Sequence, residues 1–474
     1  MKKSLLAIAA ATAFSGAAQA QSSVTVYGIL DVGYLSQSVR NAGTPATQGV
    51  AGANNSVMST GSGFGSGAES TSRLGFRGVE DLGGGTSAFF TVEFALNPTN
   101  SQSIGNGGIV AGSAVNGGAA NASGNGLNNR QSFVGIAQKG LGRASIGTQY
   151  TPIHEAVGQT DPGNQNNVPG NLTNTSTLDT NSANANLPAP TQIQNGNFNT
   201  AVTIGGPGTG NQPYIVRAGN SIRFATDNLS GFVGKLMYSQ ANQTTNSTTA
   251  ANNGATTGGP IKNTLWAAGI DFSGVKNLLL TANYLTLSSS NYAQAALNAN
   301  GIQTTTAPVP AGTTWGVGST TAYVDEVQMY FGGTYDFGIL KAYAQYVNRK
   351  TTSQFNSNVY AQRSAQQIGI RGFATKTIEP WVSVGTGKLT NQYYVTTAAG
   401  AVTNGGTANV GANLSAWQVG SNYWLSKRTN LYAIAGIQRT GNAVYPTSAT
   451  GATAAINANS NYTSGYALGL RHTF

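Results

Sequence analysis

Tyr466-Ala-Leu468-Gly-Leu470-Arg471-His472-Thr473-Phe474, the end of the 474-residue chain, divides by parity into two kinds of side chain. Tyr466, Leu468, Leu470 and Phe474 share one parity; Ala467, Gly469, Arg471 and Thr473 share the other. Successive side chains of a strand point to opposite faces, so this segment carries one bulky apolar face and one small or charged face. A terminus in water is ordinarily frayed and polar. One that keeps large apolar groups to its last residue needs oil on one side. The pattern predicts a membrane-spanning β-barrel, with lipid against the Tyr/Leu/Phe face and a wet lumen against Arg471 and Thr473.

The other end agrees. Met1-Lys2-Lys3 is a positive start, residues 5–14 form a short apolar core, and Ala18-Gln19-Ala20 has the small-x-small pattern of a signal-peptidase site. The expected organisation is a signal peptide over 1–20 and a single barrel over 21–474. No later stretch approaches the roughly 18 apolar residues of a membrane helix, so insertion must be by strands.

Composition narrows the choice. Only 8% of residues are charged and the mean hydropathy is −0.15, yet there are 64 Gly, 20 Tyr and 16 Phe. A typical soluble domain is about a quarter charged. Strands half in lipid and half in a lumen, joined by Gly/Asn/Ser/Thr loops, account for both numbers. The absence of cysteine excludes disulfides and thiolate sites. The formal charge is +10, or +8 without Lys2 and Lys3, with no Lys/Arg cluster of the nucleic-acid-binding kind.

Segments with two-fold alternation recur along the chain, separated alternately by short turns and long polar stretches. They fall at 24–34, 72–79, 86–94, 130–136, 143–150, 221–224, 231–238, 264–272, 277–284, 327–331, 340–346, 366–373, 381–384, 417–423, 431–437 and at the C-terminus. Sixteen strands, an even number, suit an all-β, closed antiparallel transmembrane β-barrel with both termini on one side. The stretch from about 36 to 70 and the longest one, 153–218, read as loops. A solenoid would show one fixed repeat period, which the chain lacks.

Val26-Tyr-Gly-Ile-Leu-Asp31-Val-Gly33, Ser72-Arg-Leu-Gly-Phe-Arg-Gly-Val-Glu-Asp-Leu-Gly83, Arg130-Gln-Ser-Phe-Val-Gly135, Gly147-Thr-Gln-Tyr-Thr-Pro152, Asn220-Ser-Ile-Arg-Phe224 and Gly469-Leu-Arg-His-Thr-Phe474 span the chain in order. Together they resemble the general-diffusion porins of Gram-negative outer membranes, of the neisserial and β-proteobacterial branch. The resemblance implies a sixteen-stranded barrel with long extracellular loops, short periplasmic turns and a third loop folded into the lumen. It also implies a homotrimer bedded in outer-membrane lipid and lipopolysaccharide, and Phe474 as the signal read by the barrel assembly machinery. The loop between Tyr150 and Asn220 is longer than the family usually carries.

Such a protein would form a water-filled channel for passive diffusion of ions and small hydrophilic solutes, with no cofactor, metal or nucleic acid. The parity of charges marks its lining. Leu74 and Phe76 share one face, so Arg73 and Arg77 share the other; an arginine facing lipid near the midplane would cost about 2–4 kcal/mol. Arg223, Lys235, Lys341, Arg363, Arg371 and Arg471 follow the same logic, whereas Phe133 and Val134 compete for lipid and leave Arg130 ambiguous. By resemblance, Arg73, Arg130 and Arg223 form the basic wall of the constriction. The acids of the third loop, Asp161 first, then Glu155 and Asp179, would face them and set a transverse field. Inward Tyr27, Asp31 and Glu93 could hold the arginines. Trp266, Trp381, Trp417 and Tyr423 suit interfacial girdles. The +8 balance favours anions mildly. Alternatives are a solute-specific channel for a sugar or organic acid and, further off, a surface adhesin. An enzyme barrel finds little support: the histidines are His154 and His472 alone, and no nucleophile motif accompanies them.

Overall fold

A computed structural model describes residues 23–41, 57–99, 129–174, 213–249, 256–291, 314–315, 323–354, 357, 360–396, 402–441 and 461–474. The strands are β1 (Ser23–Asn41), β2 (Val57–Ser66), β3 (Arg73–Gly83), β4 (Thr86–Ala95), β5 (Asn129–Gln138), β6 (Gly142–Tyr150), β7 (Arg217–Thr226), β8 (Phe232–Thr249), β9 (Thr256–Phe272), β10 (Leu278–Asn291), β11 (Thr314–Trp315), β12 (Tyr323–Asp336), β13 (Lys341–Ser353), β14 (Tyr360–Arg371), β15 (Ile378–Thr396), β16 (Val402–Trp424), β17 (Thr429–Gly441) and β18 (Asn461–Thr473). A helix, α1 (Pro152–Thr160), follows β6.

Every neighbouring pair is antiparallel, and β1 closes the ring against β18 from Ile29↔Thr473 to Arg40↔Tyr462. On its other side β1 pairs with two elements in turn: β3 from Ser23↔Val79 to Ile29↔Arg73, then β2 from Val32↔Ser66 to Asn41↔Val57. β2 and β3 are therefore two halves of one barrel strand, interrupted at 67–72. β11 is a two-residue attachment to β15. The closed barrel has sixteen strands, and each segment expected from the sequence falls on one of them. The reading of 36–70 as loop is corrected: β1 runs on to Asn41, and the small, polar residues of β2 lacked the bulky alternation that marks a strand.

The interior and exterior of this barrel are inverted relative to a soluble protein. Along β16, Trp417, Val419 and Tyr423 are 44–47% exposed, while Gln418 and Asn422 are 0–1% exposed. Apolar side chains outside and amides inside are stable only if the outside is lipid. Trp266 is also outward. Trp381 is not: it is 3% exposed, packs with Val168, Tyr432 and Ile434 inside the barrel, and is no girdle residue.

The short turns depend on glycine where the chain must enter the left-handed region. Gly83, Gly84 and Gly85 have φ of +84°, +62° and +79° between β3 and β4, conformations without penalty only when Cβ is absent. At the seam, Phe474 exchanges backbone hydrogen bonds with Gly28, 3.0 and 3.1 Å long. Its ring lies over Gly28 so closely that a Cβ there would come within 2.4 Å. The C-terminal phenylalanine closes the barrel on the lipid side, as its parity required.

Part of the inner wall is apolar, and for a reason. Ile153, Ala156 and Val157 of α1, with Leu172, Tyr214 and Ile215, are buried against the inward Met237, Leu265, Leu285, Tyr330 and Val347. The segment between β6 and β7 is thus folded into the lumen over 151–174 and 213–216 and seated on its own hydrophobic patch. The sequence left the inward part of this loop undefined. Alternation also hides the seat, since Leu265 or Leu285 on a lumen face looks like a lipid-facing residue out of register.

Candidate functional site: the lumen wall and its inward loop

Arg73, at the start of β3, is held by the Thr71 carbonyl through Nε at 2.9 Å and by Ser70 Oγ through Nη2 at 3.2 Å. Its Nη1 lies 3.9 Å from Glu93 Oε1 on β4. Arg130 donates from Nε to the same Glu93 oxygen at 2.7 Å and from Nη2 to Tyr150 Oη at 2.8 Å. Tyr27 donates to Glu93 Oε2 at 3.1 Å. Arg217, at the start of β7, stacks its guanidinium over the Tyr150 ring, 5.3 Å from the centroid. Three guanidiniums therefore surround one carboxylate and one phenol. Positive charge is thus gathered on this face of the lumen. Arg77 lies beside it, over the Tyr27 ring at 5.3 Å.

The ambiguity at Arg130 is resolved by the ladder. Val134 and Ile136 are 54% and 57% exposed on the lipid side, and simple parity would send Arg130 the same way. A register shift between Glu93↔Gln131 and Phe94↔Asn129 leaves Arg130 as a bulge residue. The extra residue re-aims the side chain inward, where it is 8% exposed.

A second group sits under α1. Arg223 makes a two-pronged pair with Glu155, Nη1–Oε1 at 2.6 Å and Nη2–Oε2 at 2.5 Å. Lys235 bridges Asp271 at 2.6 Å and Glu155 Oε2 at 3.4 Å. Here two bases meet two acids, and the charge is balanced. Glu155 thus touches Arg223 directly rather than facing it across a gap. Helix α1 places it there: Thr151 accepts from the His154 N–H as N-cap, and Pro152 starts the first turn.

Asp161 ends the helix and is 1% exposed, and among the described residues it makes no ion pair with Arg73, Arg130 or Arg223. It accepts from Gln165 N at 2.6 Å, Asn171 Nδ2 at 2.9 Å and Gln367 Nε2 at 3.4 Å. Its place is that of a loop anchor, and burial pushes its carboxyl up to about 6 despite those hydrogen bonds. His154 is buried between Tyr150 and Tyr214; burial first, then Arg217, Arg130 and Arg73, hold the imidazole well below its usual range and hence neutral. Asp179 lies outside the described residues.

Arg371 fastens the loop from β14. It donates to the Pro162 carbonyl at 2.9 Å and makes two bonds of 2.8 and 2.7 Å to Glu379. Among the described residues Asp31 pairs with no arginine; it accepts from Glu69 N, Ser70 N and Tyr432 Oη at 2.6–2.9 Å, fixing the break between β2 and β3. Lys341 lies over the Tyr343 ring at 5.3 Å. Arg217 and Tyr150 were not singled out from the sequence. Parity gave no signal for Arg217: the ladder shifts register between Gly147↔Ser221 and Gln149↔Ala218, so its even spacing from Arg223 does not fix its face.

A family profile described as Gram-negative porin matches residues 7–443. An outer-membrane porin protein of Bordetella pertussis is 34% identical over 164 residues, 34% of this chain and 37% of that one. Outer membrane porin protein 32 of Delftia acidovorans is 45% identical over 93 residues, covering 20% and 22%. The aligned stretches thus span well under half of these relatives' own lengths. Among solved structures, an anion-selective porin from Comamonas acidovorans superposes with a TM-score of 0.57 at 17% identity, over 96% of this chain and 100% of that chain, a likeness of fold. With a closed barrel, an inverted polarity and a profile match over most of its length, the chain belongs to the Gram-negative porin family of the outer membrane.

Proposed function

We propose that the chain forms a water-filled channel through which ions and small hydrophilic solutes diffuse passively, with a mild preference for anions. The observation that carries this reading is the arginine-rich cluster on one lumen wall: Arg73 and Arg130 at the carboxylate of Glu93, with Arg217 stacked on Tyr150. Fixed positive charge in a narrow aqueous path raises the local concentration of anions and lowers that of cations. The Comamonas porin of like fold is anion-selective, which is in keeping with this reading. Within the constriction we assign the basic wall to Arg73, Arg130 and Arg217, with Arg223 paired to Glu155. Lys235 and Arg371 brace the loop, Arg77 and Lys341 line the lumen to either side, and Asp161 acts as the loop's anchor.

Residues 1–20 serve as the export signal, and Phe474 as the mark read by the assembly machinery. Three copies form the working unit; Phe64, 85% exposed and edge-on to Tyr34 at 5.8 Å, supplies an aromatic patch suited to such a contact. The test is a planar-bilayer recording under a salt gradient. A reversal potential on the anion side is expected; one on the cation side overturns the selectivity, and absence of conductance overturns the channel.

A further inference from the structure

Arg363 stands on β14 with its side chain inside the barrel and is 4% exposed. Its Nη2 donates to the Leu172 carbonyl of the inward loop. Nε and Nη1 are buried as well, and among the described residues they meet no acceptor.

The neighbours make this gap unusual. Directly across the ladder lie Arg349 on β13 and Leu389 on β15, a second cation and an apolar side chain. The carboxylate at hand is Glu326, and it is already engaged: Arg349 holds both its oxygens at 2.9 and 3.0 Å, Thr351 donates at 2.9 Å, and Gln328 donates as well. Two guanidiniums thus stand side by side with one carboxylate, turned toward the other one. Like charges directly opposite in a ladder repel. A guanidinium does not escape by losing its proton. A buried charge without partner is among the most unfavourable arrangements a fold can contain.

We propose that a small inorganic anion of halide size binds beside Arg363 Nε and Nη1, completing the shell that Glu326 cannot reach. The anion neutralises Arg363 where the same guanidinium grips the Leu172 carbonyl, so it tightens the inward loop against the β13–β14 wall. This site is separate from the Arg73–Arg130–Arg217 cluster, and it is structural rather than part of the conduction path.

Anomalous diffraction from crystals of the full chain in sodium bromide tests it. The expected result is a bromide peak in contact with Arg363 Nε or Nη1. Water at that position, or bromide confined to the Arg73 cluster, overturns the proposal. In solution, replacing gluconate by chloride at constant ionic strength should raise the unfolding temperature of the detergent-solubilised barrel progressively with chloride concentration. That rise should vanish in Arg363→Met; an equal rise in variant and parent overturns the assignment. Should Arg363→Met fail to fold, the diffraction result on the unaltered chain decides alone.

Discussion

Two regions of one lumen treat charge in opposite ways. Under α1 and at the Arg371 end of β14, bases are matched: Arg223 and Lys235 meet Glu155 and Asp271, and Arg371 meets Glu379; Arg363, farther along β14, is the exception that the proposed anion would complete. On the β3–β7 wall, Arg73 and Arg130 share Glu93, and Arg217 stacks on Tyr150 beside them. The matched region carries the inward loop and is built as an anchor, where an unpaired charge would weaken docking. The arginine-rich region is built as a surface that charged solutes meet. Conformational rigidity and ion preference are thus placed on different walls, and they should come apart under mutation.

The largest effect is expected from breaking an anchor. Arg371→Ala removes both bonds to Glu379 and the bond to the Pro162 carbonyl, and should destabilise the refolded barrel by about 3 kcal/mol in a urea titration. It should also raise conductance noise while leaving the reversal potential near its starting value. A shift in ion preference as large as that of an Arg73 variant would erase the distinction between the walls.

The next effect belongs to the arginine-rich wall. Arg73→Gln combined with Arg217→Gln should reduce the anion-to-cation permeability ratio several-fold and leave the unfolding midpoint almost unchanged. Unaltered reversal potentials would show that the cluster does not set selectivity.

Acidity supplies a third handle. Burial raises the Asp161 carboxyl to about 6 when the loop is docked, against an ordinary value of 3.8 when it is released. Because the docked pKa lies above the released one, this contribution to docking is fully present below about pH 4 and is lost as the pH rises through 6. Channel noise from loop movement should therefore be lower at pH 4 than at pH 7.5, and Asp161→Asn should flatten that dependence. The smallest effect, one in ion preference, is that of Glu155→Gln. It takes a partner from Arg223 and Lys235 and should nudge selectivity slightly further toward anions; a move toward cations would contradict the charge-balance reading.

Much of the fold was legible in advance because lipid enforces a strict period of two. A polar residue on the lipid side of β16 or β18 is penalised directly, so Trp417, Val419, Leu468 and Leu470 announce their strands. β2 was missed because its small residues, such as Gly61, Gly63 and Gly65, carry no such contrast. The inward charges Arg73, Arg77, Arg223, Lys235 and Arg371 were legible for the same reason as the strands. The partners of Asp31 and Asp161 were not, since each is bound to groups far away in sequence: Tyr432 for Asp31, and Gln367 for Asp161.

What the sequence determined by itself is the alternation, and with it the barrel, its two solvents and the face of those strand charges that no bulge displaces. Only the tertiary structure decided which charges meet. A bulge opposite Phe94 turned Arg130 inward against its parity, an apolar seat drew α1 across the lumen, and that helix carried Glu155 onto Arg223. The physical reason is range: lipid acts on each residue where it stands, whereas ion pairs and loop docking depend on distances between segments that no local pattern encodes.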